Sequence, residues 1–140
     1  MDDSNPTILL VEDNEDDVFL MRRVLQRGGF LSSLQVVTDG QQAVDYLSGS
    51  REFGNRQRHP LPFLVFLDLK LPYLDGFEVL EWMRERSCLD SMAVVVLTSS
   101  DEARDRERAR KLGARLYLVK PPTIDMLMPV FEALQPRGAS

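Results

Sequence analysis

A chain of 140 residues is the size of one domain built round one core. A hydrophobic share of 44% and a charged share of 28% are ordinary for a globular domain, no apolar run is long enough to span a bilayer, and the polar start from Met1 to Pro6 carries no secretory signal. A net charge of −5 argues against broad nonspecific nucleic-acid binding, and a single cysteine, Cys88, excludes an internal disulfide, so a cytoplasmic protein that binds neither nucleic acid nor membrane is expected.

Two patterns alternate along the chain. Short apolar runs read as strands at Ile8–Val11, Leu34–Val37, Phe63–Leu67, Ala93–Leu97 and Arg115–Val119. Three are nearly continuous in apolar residues, as in a parallel sheet covered on both faces. Amphipathic helical stretches separate them. Val18, Met21, Val24 and Leu25 mark the first, Ala43, Val44 and Leu47 the second, and Phe77, Val79, Leu80 and Met83 the third. The fourth runs from about Asp101 to Leu112 and closes at Gly113, and the fifth follows Pro121-Pro122. Ser48 to Pro62 is polar, rich in Arg, Gly and Pro, and reads as a long surface loop. Five βα repeats predict an α/β fold, an open five-stranded parallel doubly wound sheet with helices on both faces. The domain spans 7–135, between an N-terminal tail at 1–6 and a C-terminal tail at 136–140.

In such sheets ligands sit beyond the carboxyl ends of the strands. The residues there are Glu12-Asp13, Asp68, Thr98-Ser99-Ser100 and Lys120. Carboxylates crowded on one rim repel unless a cation relieves them. Asp13 and Asp68, with Glu12 through water, suit Mg²⁺, which takes oxygen ligands and keeps waters. A carboxylate is also a competent nucleophile toward phosphorus. Lys120 offers a point charge and Thr98 a hydroxyl for the oxygens of a transferred phosphoryl group.

The pattern resembles the response-regulator receiver domain of two-component signalling over essentially the whole chain. The residues that carry the resemblance are Ile8-Leu-Leu-Val-Glu-Asp13, Phe66-Leu-Asp68-Leu-Lys-Leu-Pro72 through Asp75-Gly76, and Val96-Leu-Thr98-Ser-Ser100. Lys111-Leu-Gly-Ala114 and Tyr117-Leu-Val-Lys-Pro121 complete it. The resemblance implies a flavodoxin-like fold and a signalling protein rather than an enzyme. Asp68 would be the phosphoacceptor, and the backbone carbonyl of Lys70 would join Glu12, Asp13 and Asp68 around Mg²⁺. Thr98 would bind the phosphoryl group and, with Tyr117, form a switch. Lys120 would pair with the phosphate, and its bond to Pro121 would be cis. The long loop and the Asp13-Asn-Glu-Asp-Asp17 run look like the small single-domain regulators paired with bacterial phytochromes. The partners implied are a sensor histidine kinase, of phytochrome type in that case, and an unknown downstream protein.

Plainer roles compete. Asp13 or Asn14 could only cap a helix, and Ser100 is the expected cap of the fourth. Lys120 could be a surface lysine, and Tyr117 an ordinary strand aromatic. His59 is read as surface polar, Arg104, Arg106, Arg108 and Arg110 as a solvated helix face, and Cys88 and Trp82 as packing residues near the third helix. In the last helix Ile124, Leu127, Phe131 and Leu134 form one apolar stripe. Met126, Met128 and Val130 add apolar groups beyond it, which suits either a homodimer interface or a broad buried face. Pro129 predicts a kink or a late start. Two other functions remain: a receiver-like scaffold that is never phosphorylated, and an aspartyl-phosphate-forming phosphatase. The latter would want an acid where Lys70 stands.

Overall fold

A computed structural model describes residues 6–30 and 34–134. The predicted C-terminal tail and most of the N-terminal one lie outside the described residues. Five strands and five α-helices alternate: β1 Thr7–Val11, α1 Glu15–Gly28, β2 Leu34–Val37, α2 Gly40–Ser48, β3 Pro62–Leu67, α3 Gly76–Glu85, β4 Ala93–Thr98, α4 Ala103–Lys111, β5 Leu116–Val119 and α5 Ile124–Leu134. The sheet is parallel throughout, in the order β2-β1-β3-β4-β5.

Alternation along the central strands splits the core in two. Leu9, Val11, Val65, Leu67, Val94 and Val96 face α2 and α3. Ile8, Leu10, Leu64, Phe66, Val95 and Leu97 face α1 and α5, which contribute Met21, Leu25, Leu127 and Phe131. The run of apolar residues in β1, β3 and β4 follows from this burial on both faces, while the edge strands β2 and β5 are only half-buried.

Local chemistry sets the helix ends. The Asn14 side chain accepts from Asp17 N and caps α1, which stops at left-handed Gly29. Asp39 caps α2, and Asp75 with Glu78 forms a reciprocal capping box on α3. Gly76 must be glycine: a Cβ there would stand 2.3 Å from the Asp68 carbonyl oxygen and 2.7 Å from Leu69 Cα. Close approach of α3 to the turn after β3 is therefore written into that residue.

Two expectations need correction. The fourth helix starts two residues late, at Ala103; Ser100 Oγ accepts from Glu102 N but donates to Asp105, so it is not the N-cap. Arg104, Arg106, Arg108 and Arg110 are all exposed, as expected of a solvated face, with the Arg106 and Arg108 guanidinium groups lying over the rings of Tyr117 and Phe77. The segment between α2 and β3 is a packed lobe rather than a plain loop. A 3₁₀ turn at Arg51–Phe53 buries Phe53, and Arg56 donates to the carbonyls of Tyr46, Leu47 and His59. His59 is half-buried, edge-on to Tyr46 and Phe53. The lobe closes through the Tyr46 hydroxyl, which donates to Pro60 O at 2.7 Å.

Of the two readings of α5, a broad buried face describes Val130, which is 4% exposed and belongs to the core; Met126 and Met128 are half-buried and pack on the same cluster. Part of the apolar excess is used inside the chain, where α5 lies against α1 as well as the sheet. The helix starts on time at Ile124 and runs through Pro129. Pro129 and Asp125, whose carbonyl loses its donor, are both on the exposed side, where water can serve it. Cys88 and Trp82 pack at the edge of the core beside α3, as expected.

Candidate functional site

The register builds the site. Val11 pairs with Leu67 and Val37, so Glu12 and Asp68 leave adjacent strands side by side. Asp68 N donates to Val11 O, and Glu12 N to Val37 O. Thr98 pairs with Val119, and Lys120 N donates to Thr98 O at 2.8 Å. Four strand ends thus present Glu12, Asp68, Thr98 and Lys120 on one rim, at the point where the strand order reverses between β1 and β3. The Lys120–Pro121 bond is cis.

Glu12 and Asp68 are 2% and 7% exposed, and Asp13 is exposed beside them. Oxygens of these three carboxylates lie within 4.8 Å of one another. Lys120 Nζ stands 2.7 Å from Glu12 Oε1, 2.9 Å from Asp68 Oδ2 and 2.7 Å from Asp17 Oδ2. Burial opposes the charge on Lys120, but its bonds to Asp17, Glu12 and Asp68 outweigh that and hold the ammonium above the usual lysine range. One ammonium cannot offset the desolvation of three carboxylates. Burial, aided by the Asp68 charge and opposed by the Lys120 hydrogen bond, pushes Glu12 up to about 7.

Around this cluster, Lys70 is exposed in the turn after β3, and its N–H donates to Asp68 Oδ1 at 3.3 Å. Thr98 is fully buried, and its Oγ1 has no hydrogen-bond partner among the described residues. Tyr117 is set apart from the carboxylates. Its hydroxyl donates to Ser100 O at 3.0 Å, under the Arg106 guanidinium. The structure therefore brings Glu12, Asp13, Asp68 and Lys120 together, places Thr98 at the neighbouring strand end, and links Tyr117 through Ser100. Met126, Met128 and Val130 stand away from this rim, on α5.

Sequence reading missed Asp17. The acidic run after Asp13 was visible, but nothing in it says which carboxylate turns toward the lysine. The helix start does: with Asn14 as cap, Asp17 is the third helical residue, one turn from Asp13 on the rim side.

The donor set fits a hard divalent cation. It is all oxygen, closely spaced and short of positive charge, with room for water on the exposed Asp13 side. A buried carboxylate, an ammonium bonded to it and a buried hydroxyl on a doubly wound sheet have chemistry that suits phosphoryl transfer. The chain matches the response regulator receiver domain over residues 8–132 and belongs to that family. Within the family it is similar to FilR2 of Methanothrix harundinacea, 39% identical over 91% of this chain and 80% of that one. It is also similar to the response regulator Rcp1 of Synechocystis, 35% identical over 96% and 90%. The Mn²⁺-bound form of response regulator Rcp1 superposes with a TM-score of 0.75 at 31% identity, covering 97% of this chain and 98% of that one. The bacteriophytochrome response regulator RtBRR superposes with a TM-score of 0.83 at 37% identity, over 98% of this chain and 82% of that one. The chain is thus a receiver-domain protein related to phytochrome response regulators.

Proposed function

We propose that Asp68 accepts a phosphoryl group from the phosphohistidine of a sensor kinase, and that this modification is the signal the chain passes on. The observation that carries the reading is the setting of Asp68: a buried strand-end carboxylate bonded to Lys120, beside two further carboxylates and an unpartnered buried hydroxyl. In the transfer, an Asp68 oxygen forms the bond to phosphorus, the phosphorus–nitrogen bond breaks, and the imidazole leaves with its electron pair. Lys120 holds the developing charge on the phosphoryl oxygens, and Thr98 Oγ1 donates to one of them. Glu12 through water, Asp13, Asp68 and the Lys70 backbone carbonyl would hold Mg²⁺, whose charge, when bound, offsets that of the phosphoryl oxygens. The Mn²⁺-bound form of Rcp1 supports a divalent site of this kind.

The engaged Thr98 hydroxyl alters the end of β4, and Tyr117, held by Ser100 two residues further on, reports the change on the α4–β5 surface. A phytochrome-type kinase as donor is supported by the likeness to RtBRR. Contact with a downstream protein completes the signal. A homodimer through the half-buried Met126 and Met128 is compatible with this reading, while Val130 packs in the core.

Intact-mass analysis after incubation with acetyl phosphate and Mg²⁺ tests the reading. An adduct of about 80 Da is expected in the wild type, absent in Asp68→Asn and absent after chelation. An equal adduct in Asp68→Asn would place the acceptor elsewhere.

A further inference from the structure

Lys120 has three ammonium protons and three carboxylate partners, and one of these, Asp17, is neither the acceptor nor one of the three clustered carboxylates suited to a cation. It is an α1 residue, partly buried, and its bond to Lys120 is as short as that of Glu12. A third acidic partner is not required to hold a lysine that Glu12 and Asp68 already bind.

Resting on Asp68 as the acceptor, we propose that Asp17 is a positioning residue that sets the balance of the site against the phosphorylated state, by binding Lys120 and placing a fixed negative charge beside the phosphoryl position. The sign comes from comparing the two states, because only a difference between them shifts the equilibrium. Phosphorylation takes the Asp68 side chain from one negative charge to two. The Asp17–Lys120 bond is at best retained, while repulsion between Asp17 and the Asp68 side chain grows. Lys120 must also turn a proton from a carboxylate to a phosphoryl oxygen, and Asp17 competes for it. Toward a divalent cation the same charge acts in the opposite sense, because it deepens the negative potential of the rim. Asp17 therefore favours the metal-loaded, unphosphorylated site over the phosphorylated one.

This opposition of sign separates Asp17 from a residue that merely keeps the site in shape. Calorimetric titration of the full chain with Mg²⁺, and then with beryllofluoride at saturating Mg²⁺, reads both. Asp17→Asn should bind Mg²⁺ more weakly and beryllofluoride more tightly, each by roughly three- to tenfold. Asp17→Glu, which keeps the charge, should return both toward wild type. Beryllofluoride binding in Asp17→Asn that is unchanged or weaker, alone or together with weaker Mg²⁺, overturns the proposal while leaving Asp68 as acceptor. A wild-type chain that binds neither Mg²⁺ nor beryllofluoride overturns the acceptor reading and this inference with it.

Discussion

The Thr98 hydroxyl is fully buried at the end of β4 and meets no hydrogen-bond partner among the described residues. A buried polar group in that condition costs about 1–3 kcal/mol of stability. Thr98→Val keeps the branched shape and removes the orphan oxygen. The variant should unfold at higher urea, gaining about 1 kcal/mol, while its affinity for beryllofluoride falls several-fold. A loss of stability with unchanged affinity would mean that the hydroxyl serves the fold and not the phosphoryl group. Residue by residue, the site was legible where a side chain follows a strand directly: Glu12, Asp13, Asp68, Thr98 and Lys120 all stand at strand ends, so the strand pattern alone put them on one rim. Asp17 was not, because its place depends on the direction of a side chain in the first turn of a helix. Periodicity does not fix that direction when the whole turn is acidic.

At the scale of elements, the same distinction decides what the apolar pattern could say. Continuous runs gave β1, β3 and β4 correctly, since burial on both faces leaves no polar position. The pattern could not tell a helix face turned to a partner from one turned to a neighbouring helix. That is why Met128 suited a partner surface as well as a neighbouring helix, and it lies against Gly28 of α1. Nor does periodicity reach the lobe between α2 and β3, whose order comes from arginine–carbonyl bonds and one tyrosine. Tyr46 is 1% exposed, and burial, slightly opposed by the Arg56 charge, pushes its hydroxyl up to about 12 from an ordinary 10. Between those values the unfolded chain releases a proton that the folded chain keeps. The contribution of Tyr46 is therefore full below pH 10, falls through the window and is lost above about 12. It amounts to on the order of 2 kcal/mol. In urea titrations the wild type should lose that much more stability than Tyr46→Phe between about pH 9 and pH 12. Parallel pH profiles would show that the hydroxyl is not held in the protonated form by the lobe.

For the whole molecule, the site exists only in the folded chain. Glu12, Asp13 and Asp68 come from two strand ends far apart in sequence, and folding brings their oxygens within 4.8 Å against the sheet's rim. The cost of burying charge there is visible in Glu12, raised to about 7 chiefly by desolvation and further by the Asp68 charge, and a single lysine is shared by three carboxylates. A divalent cation held there would relieve it in the native state and would find no such array in the unfolded one, which would link binding to stability. At a hundredfold excess over its dissociation constant, Mg²⁺ should stabilise the fold by about 2.7 kcal/mol, raising Tm by roughly 10 °C. Sodium chloride at the same ionic strength should raise it far less, because it screens the rim without being coordinated there. Asp13→Asn removes the exposed carboxylate of the cluster and should abolish most of the Mg²⁺-specific rise. It should leave the metal-free Tm equal to or above that of the wild type, since one of the repelling charges is gone. Equal shifts in magnesium and sodium, or a full magnesium shift in Asp13→Asn, would mean that the acidic rim is only a region of high charge density and not a coordination site.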